Sequence, residues 1–279
     1  MIAWPDPQPQ PLSIWEDNLH MELFRLIHSA LVRNHITRRH QRRFTRFIKR
    51  SFNCPDAYGD MLTIAKMAKP TAILDIGSFV GDTVVRFLDE FGLPVFGFEP
   101  TPSSFELLRQ RFKNEARVKL FNCALANHEG EVSFYSNQNS QTNSLLENDE
   151  GNIQSFPVFT RHCNVLRINT KVLDKWADEH IPEGLLLIKA DVQGAEERIL
   201  DGGTQTFKNR VVALFTEVQL APMYKEQATF ASLHERLQDL GFCLYNLYPC
   251  FHDSIGKAVQ TDGLWVKEMF LQQHSTLSP

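Results

Sequence analysis

Four acidic residues stand at or just past the ends of apolar runs that are typical of buried strands. They are Asp75, Glu99, Asp191 and Glu217, and Glu196 follows Asp191 at the start of a predicted helix. In an open α/β sheet, ligands collect outside the carboxyl ends of the parallel strands. Acids in that place would share one crevice, and their mutual repulsion would raise the pKa of at least one of them. Two structural alternatives stay open: Asp191 and Glu196 cap the helix, or Glu217 pairs with Lys189.

The segment 75–81 indicates which ligand such a crevice would hold. It has the pattern D-x-G-x-x-x-G, and its glycines let a ligand lie close to the backbone. Glu99 lies 24 residues beyond Asp75, near the spacing of about 20 at which a carboxylate takes the ribose hydroxyls of a nucleotide. A pyrophosphate-binding loop needs a third glycine, and Asp75 and Asp82 would repel phosphates. The sequence therefore favours a positively charged, nucleotide-like cofactor such as S-adenosylmethionine over a nicotinamide dinucleotide.

The elements that must position these residues alternate between apolar runs and helical patterns. The runs predict strands at 72–74, 95–98, 118–125, 185–192, 211–218, 242–247 and 264–270, and the helical patterns lie at 56–69, 83–91, 173–180, 195–200 and 226–240. This alternation predicts a doubly wound α/β fold with a mostly parallel sheet. Because no long helix joins the last two runs, they are predicted to form an antiparallel hairpin at the sheet edge. Residues 130–170 interrupt the pattern with a short strand and a long polar loop.

Length and composition are those of an ordinary globular protein. The 279 residues are 43% hydrophobic and 22% charged, enough for one large α/β domain with an appendage. No apolar run approaches the roughly 20 residues that span a bilayer. The N-terminus lacks the basic start and apolar core of a secretory signal. The five cysteines are scattered without a C-x-x-C pair, and we expect them to be buried in a reducing compartment. These features predict a cytoplasmic protein without a transmembrane segment.

Charge is distributed unevenly along the chain. Residues 33–50 hold eight bases and no acid, whereas 20 bases face 29 acids after residue 50. Apolar residues at four-residue spacing from Leu19 to Leu31 predict one or two helices ahead of the main domain. We therefore expect an N-terminal basic helical arm at 1–50 and a second domain at 51–279. The basic face either binds an anionic surface or is a solvated helix face, and the arm's helices also offer a surface for forming a homo-oligomer.

Several motifs resemble the FkbM-type S-adenosylmethionine-dependent methyltransferases. They are L-D-I-G at 74–77, G-D at 81–82, G-F-E-P at 97–100, I-K-A-D-V-Q-G-A-E at 188–196 and T-E-V at 216–218. The first three are similar to motifs of many class I methyltransferases, and the last two are the specific part. The resemblance covers roughly residues 70–247 and leaves out the basic arm. Ala190 departs from the larger aliphatic residue that is usual before this aspartate.

The resemblance implies a seven-stranded Rossmann-like sheet, S-adenosylmethionine as the cofactor, and methyl transfer to an oxygen, commonly a hydroxyl of a sugar, polyketide or other small molecule. The cofactor-binding residues that it implies are Asp75, Gly77, Ser78, Gly81, Asp82, Thr83, Glu99, Pro100, Asn122, Ala124 and Asp191. In this set the 75–82 loop would line the methionine part, and Glu99 would hold the ribose diol. Asn122 and Ala124 would lie near the adenine, and Asp191 would face both cofactor and substrate.

The chemistry that the resemblance implies needs a base. A sugar hydroxyl is a poor nucleophile until its proton is removed, and a positioned general base contributes roughly 10²–10⁴ in rate. Asp191 is the first candidate, Glu196 or Glu217 is next, and His162 offers another base from the polar loop. A divalent cation held by Asp191 and Glu217 would be an alternative way to activate the hydroxyl. The sequence has neither an Asp-Asp pair nor a histidine cluster, and no metal is expected.

Two other functions fit the same fold. A nucleic-acid methyltransferase would use the basic residues 33–50, but the chain lacks an N-P-P-Y-type motif for a flipped base. A binding or scaffold protein would keep the nucleotide fold without turnover. We expect the acceptor to be a hydroxyl of a small molecule or glycan, and we expect no nucleic-acid partner.

Overall fold

The computed structural model describes residues 55–155, 164–181 and 183–275, with single residues at 42, 46 and 160. The chain divides into two units, Met1–Cys54 and Pro55–Pro279, and the second unit is described below. Apart from Arg42 and Arg46, the predicted basic arm lies outside the described residues. Its helices, its role in self-association and its boundary with the main domain therefore stay predictions.

Two β-sheets contain the strands of the described unit. In chain order the strands are β1 (Ala72–Ile76), β2 (Val95–Phe98), β3 (Val118–Phe121), β4 (Ala124–Ala126), β5 (Gly130–Ser136), β6 (Asn164–Val172), β7 (Leu186–Ala190), β8 (Val211–Gln219), β9 (Phe242–Leu247), β10 (Phe251–His252) and β11 (Ala258–Lys267). The main sheet has the order β3-β2-β1-β7-β8-β11-β9, and the short β10 pairs with the start of β11. The five neighbouring strands β3, β2, β1, β7 and β8 are mutually parallel, and β11 is antiparallel to β8 and β9. The predicted doubly wound, mostly parallel seven-stranded sheet with a terminal antiparallel hairpin is thus confirmed.

Helices precede, connect and follow the described strands. They are α1 (Ala57–Ala68), α2 (Asp82–Glu90), α3 (Pro102–Phe112), α4 (Glu150–Ser155), α5 (Leu173–His180), α6 (Glu196–Gly202), α7 (Thr204–Asn209), α8 (Phe230–Asp239) and α9 (Glu268–Ser275). Helix α8 begins four residues later than predicted because Thr229 caps it, accepting a hydrogen bond from the backbone N–H of Ser232 at 3.0 Å. Among the described residues, no helix combines the length and apolar character needed to cross a bilayer.

The small second sheet, β4-β6-β5, corrects two expectations. The predicted strand 118–125 is two strands, because the chain leaves the main sheet after Phe121 and β4 pairs with β6 instead. Asn122 lies at this break and donates hydrogen bonds to the carbonyl oxygens of Glu99 and Pro100. Residues 164–170 were expected in the polar loop, but they belong to β6. Strand β6 pairs with β5 along the whole length of β5.

The described cysteines differ in burial, contrary to the prediction that all are buried. Cys123 is buried, Cys243 is half-buried and Cys250 is exposed, and all three are free thiols. Cys54 and Cys163 lie outside the described residues.

The centre of the main sheet contains buried charges among apolar residues. Every residue of β1 and β7 is buried, including Asp75 and Lys189, which are partners in the parallel register. Apolar burial stabilises a sheet of this kind by roughly 1.5–3 kcal/mol for each fully buried large side chain. A charge in the same place costs free energy unless it is paired. Both charged residues lie near the carboxyl ends of their strands, so their partners point to the functional site.

Candidate active site

A cleft that encloses about 700 Å³ of space, open solvent included, lies at the carboxyl ends of β1, β2 and β7 and forms the cavity discussed below. The predicted cofactor residues on its wall are Gly77, Glu99, Pro100, Ala124 and Asp191. Glu99 and Asp191 are the two charged residues on the described wall, and both are acids. The site therefore has a negative charge and no basic side chain among its described lining residues.

Glu99 directly follows β2 and is held by two backbone groups. Its Oε2 accepts a hydrogen bond from the N–H of Phe79 at 2.9 Å, and its Oε1 accepts one from the N–H of Thr101 at 2.8 Å. Burial raises the pKa of Glu99, while the hydrogen bonds from Thr101 and Phe79 act in the opposite direction. A carboxylate offers about four lone-pair sites. Each oxygen therefore keeps room for a further donor from the cavity.

Asp75 does not face the cavity. Its side chain is fully buried, its Oδ2 accepts a hydrogen bond from Thr83 Oγ1 at 2.7 Å, and its Oδ1 lies 3.5 Å from Lys189 Nζ. Burial raises the pKa of Asp75, and the ammonium group of Lys189 opposes that rise. Neither Asp75 nor Thr83 is among the described lining residues, and their direct contact with a cofactor stays a prediction. Thr83 holds the Asp75 carboxylate, and Asp75 pairs with Lys189.

Lys189 connects this buried carboxylate to the cavity wall. Its Nζ lies 3.5 Å from Asp191 Oδ2 and donates a hydrogen bond to the backbone oxygen of Gly77 at 3.0 Å. Burial lowers the pKa of Lys189, but Asp191 and Asp75 outweigh that effect, and the net direction is upward. Lys189 is therefore a charged ammonium group that fixes the β1–α2 turn against Asp191.

Asp191 directly follows β7, and its carboxylate faces the cavity with both oxygens held. The side chain is 42% exposed. Oδ1 accepts a hydrogen bond from Gln193 Nε2 at 2.8 Å, Oδ2 faces Lys189, and the backbone N–H donates to the backbone oxygen of Ile76 at 3.0 Å. Gly77 permits this close approach of two turns, because a Cβ there would lie 2.0 Å from the backbone oxygen of Asp191.

Glu217 was predicted as an alternative base, but it lies behind the cavity wall. It is buried in β8, and its carboxylate accepts hydrogen bonds from the amides of Gln193, Gln219 and Gln260. Burial raises the pKa of Glu217 well above its ordinary value, and the negative charge of Asp191 adds to the rise. Glu217 is not among the described lining residues, and its role as a base stays a prediction. It also does not pair with Lys189, whose ionic partners are Asp75 and Asp191.

Glu196 is likewise buried and outside the lining. It stands in the first turn of α6, and its Oε1 accepts a hydrogen bond from the N–H of Gly194 at 3.3 Å. Burial raises the pKa of Glu196 to about 7. Its catalytic role stays a prediction, and the helix-terminus alternative agrees with its position.

Three further predicted cofactor residues build the turn and do not line the cavity. Ser78 is buried and donates a hydrogen bond to the backbone oxygen of Asp75 at 2.7 Å. Gly81 has φ +88°, and a Cβ there would lie 2.4 Å from the ring of Phe112. Asp82 has an 83% exposed side chain that pairs with Arg111 at 2.7 Å. Gly81 thus makes room for α3 and not for a ligand.

Asn122 is exposed and is not among the described lining residues, and its amide supports the Glu99–Pro100 backbone. Ala124 lies on the wall, as predicted. His162 lies outside the described residues. Within the described ranges, no three His, Cys, Asp or Glu side chains come together to hold a metal ion.

Several lining residues were not predicted as site residues. Ser140, Gln141 and Asn143 come from a short 3₁₀ turn, Ser140–Thr142, and the residue after it, in the segment expected to be a polar loop. Phe79 and Gln193 line the cavity with φ angles of +48° and +57°, which side chains of their size rarely adopt. Gln193 precedes Gly194, and such a pair is a turn signal that could have drawn attention to it.

Residues 75–244 match the family described as the Methyltransferase FkbM domain. The 2-O-methyltransferase NoeI of Sinorhizobium fredii is 24% identical over 204 residues, which cover 70% of this chain and 82% of that protein. Two similar solved structures are the magnesium protoporphyrin IX methyltransferase of Synechocystis and the fibrillarin of Aeropyrum pernix, both with bound S-adenosylmethionine. The first is 11% identical with a TM-score of 0.38 and covers 70% of this chain and 69% of that one. The second is 10% identical with a TM-score of 0.41 and covers 70% and 66%.

The family match spans more than half of the chain and contains both Glu99 and Asp191. This chain therefore belongs to the FkbM methyltransferase domain family and is an S-adenosylmethionine-dependent methyltransferase.

Proposed function

We propose that the cavity between Glu99 and Asp191 binds S-adenosylmethionine and that the protein transfers a methyl group to a hydroxyl of a sugar, glycan or other small molecule. One observation carries this proposal: the two charged residues on the described cavity wall are both acids. An acidic cavity attracts a ligand with ammonium and sulfonium groups and repels a pyrophosphate.

The described wall fits the parts of this cofactor. Glu99 presents two carboxylate oxygens that each have one backbone donor and room for another, which suits a vicinal ribose diol. The half-buried Phe79 gives the same cavity apolar surface for a flat purine ring. When bound, S-adenosylmethionine supplies a methyl group on a positively charged sulfur.

Polar side chains on the opposite segment support a polyhydroxylated acceptor. Ser140, Gln141 and Asn143 line the cavity with one hydroxyl and two amides. Groups of this kind donate and accept hydrogen bonds without adding charge, as neutral hydroxyl ligands require. The relative named 2-O-methyltransferase supports oxygen as the accepting atom.

Asp191 is the base of the proposed reaction. Its carboxylate would accept the proton of the acceptor hydroxyl, which would leave that oxygen ready to take the methyl group that S-adenosylmethionine would supply. Gln193 and Lys189 hold the two oxygens of Asp191, so its direction is fixed before the acceptor arrives. A positioned base of this kind contributes roughly 10²–10⁴ in rate.

A polyanionic acceptor is less compatible with this cavity. Nucleic-acid binding draws on Lys and Arg contacts to phosphates, and no Lys or Arg is among the described residues that line the cavity. The basic residues 33–50 that would serve a nucleic acid lie almost entirely outside the described ranges. A sugar or small-molecule hydroxyl is therefore the acceptor that we propose.

The test is methyl transfer from radiolabelled S-adenosylmethionine to a panel of sugars, oligosaccharides, RNA and DNA. We expect a sugar-containing product heavier by one methylene. Asp191→Asn should lower kcat by roughly 10²–10⁴, while its affinity for S-adenosylhomocysteine changes by less than about threefold. Asp201→Asn makes the same change at a surface aspartate that pairs with Arg236, and it should leave both values unchanged. Transfer to nucleic acid and to no sugar would contradict the proposal.

A further inference from the structure

Gln193 has a backbone conformation that needs an explanation. It lies in the turn between β7 and α6 with φ +57°, and Gly194 after it has φ +90°. A left-handed backbone costs a non-glycine residue roughly 1–2 kcal/mol. Such strain persists where the surrounding structure fixes it, commonly at functional sites. The contacts of the Gln193 side chain show what this conformation makes available.

The amide of Gln193 is fully used. Nε2 donates one hydrogen bond to Asp191 Oδ1 at 2.8 Å and one to Glu217 Oε2 at 2.9 Å. Oε1 accepts a hydrogen bond from the hydroxyl of Tyr224 at 2.7 Å. Because the nitrogen faces two carboxylates and the oxygen faces a hydroxyl, the amide has one favourable orientation.

The partners of Gln193 on the side away from the cavity are themselves fixed. Glu217 is buried in β8, where burial raises its pKa, and it accepts two further amide hydrogen bonds. Tyr224 is buried, and its hydroxyl also lies 3.3 Å from the carbonyl oxygen of Thr142. Ser144 Oγ donates to the backbone oxygen of Gln193 at 2.7 Å. Gln193 is thus anchored to β8 and to the segment beside the cavity at 142–144.

Asp191 contrasts with these buried partners. Its side chain is 42% exposed and would turn about its own bonds if nothing held it. Lys189 Nζ lies 3.5 Å from Oδ2, a long and weakly directional contact, whereas Gln193 Nε2 donates a hydrogen bond to Oδ1 at 2.8 Å. The stronger directional restraint on this carboxylate therefore comes from Gln193.

We propose that Gln193 is a positioning residue that fixes the Asp191 carboxylate toward the cavity, with Glu217 and Tyr224 as its anchors. This inference rests on the proposed role of Asp191 as the base. It gives the strained turn a function, since the left-handed conformation directs one amide to a base on the cavity wall and to two anchors behind it. It also gives Glu217 a role that needs no contact with substrate.

The first test compares Gln193→Met with wild type. Methionine has similar length and no hydrogen-bond donor. We expect kcat to fall about tenfold to hundredfold, since displacement of a catalytic group by about 1 Å costs that much. KM for S-adenosylmethionine should stay within about threefold, since Glu99 is untouched. Gln219→Met is the control, because it removes another buried amide from Glu217 that does not reach Asp191, and kcat should then change less than about threefold.

Double variants separate positioning from general damage. Combined with Asp191→Asn, Gln193→Met should cost no further activity, because Gln193 acts through Asp191. Tyr224→Phe should lower kcat less than Gln193→Met does. The double variant with both changes should have nearly the same kcat as Gln193→Met alone. Fully multiplicative losses, or a loss confined to KM, would overturn the proposal.

A structural readout keeps this test independent of the acceptor. Crystal structures with S-adenosylhomocysteine should show one Asp191 rotamer in wild type and a displaced or split carboxylate in Gln193→Met. If wild type methylates no sugar, the proposed function fails, and this comparison still decides the role of Gln193. An unchanged single rotamer in Gln193→Met would refute positioning.

Discussion

Replacing Phe79 by glycine would separate the stability of the fold from the affinity of the cavity. Phe79 lies in the turn between β1 and α2 with φ +48°, a left-handed conformation that is unusual for a bulky residue. Its ring lines the cavity but belongs to none of the three apolar clusters of the described core. The ring therefore contributes little to folding, and its surface is available to a ligand.

Phe79→Gly should stabilise the fold and weaken ligand binding. Relief of the left-handed conformation raises the free energy of unfolding by about 1–2 kcal/mol, and the greater freedom of glycine in the unfolded chain lowers it by about 0.5–1 kcal/mol. A net gain of about 0.5–1 kcal/mol raises Tm by about 1–4 °C for a domain of this size. Full burial of a phenylalanine side chain contributes about 1.5–3 kcal/mol. Loss of one ring face against the ligand should thus raise Kd about fivefold to tenfold.

Scanning calorimetry gives Tm, and titration calorimetry with S-adenosylhomocysteine gives Kd. Lys69→Gly is the matched control, because Lys69 has φ +53° and is exposed at the end of α1, away from the cavity. It should raise Tm by a similar amount and leave Kd unchanged. The reasoning is refuted if Phe79→Gly binds S-adenosylhomocysteine as wild type does, or if it melts lower than wild type while Lys69→Gly melts higher.

Two further predictions concern the fold around the site. Gly81→Ala should lower the free energy of unfolding by about 2–5 kcal/mol, because its Cβ would meet the Phe112 ring in a strained backbone. The control Gly92→Ala, at φ +71° with open space around it, should lower it by only about 1–2 kcal/mol. Equal losses of Tm in the two variants would contradict this prediction. Glu196 has an ordinary pKa of 4.5 that burial raises to about 7, so the folded state keeps a proton that the unfolded state has lost, and stability should fall as pH rises between these values. Glu196→Gln should flatten this dependence in chemical denaturation and gain on the order of 3 kcal/mol at pH 8; an unchanged slope would refute the assignment.

The fold could be predicted because its signals are local. Strands β1, β2, β7 and β8 are continuous apolar runs, as expected for strands buried on both faces. Strand β6 was missed because only one face of it is buried and its charged residues, Arg167 and Lys171, resemble those of a loop. The split of 118–125 depends on a contact between Asn122 and the Glu99–Pro100 backbone, and no local pattern encodes that contact.

The site was predicted in part for a related reason. Position at a strand end correctly predicted that Glu99 and Asp191 line the cavity. The same criterion also selected Asp75 and Glu217, whose side chains are buried and do not line the cavity. Which way a carboxylate turns depends on its partners, and the partners of Asp75 and Glu217 come from distant positions such as Lys189 and Gln260. The sequence shows that an acid stands at a strand end, and the packing decides whether it meets a ligand or a neighbouring side chain.

The measurement that tests the central claim most directly is calorimetric titration of wild type and Glu99→Ala with S-adenosylhomocysteine. Loss of the charged acceptor for two hydroxyls should weaken binding by about 2–4 kcal/mol, which raises Kd about 30-fold to 1,000-fold. Glu115→Ala, which removes a surface glutamate paired with Arg117, should bind as wild type does. If all three proteins are folded and bind S-adenosylhomocysteine with equal affinity, the acidic cavity is not the binding site of the methyl donor.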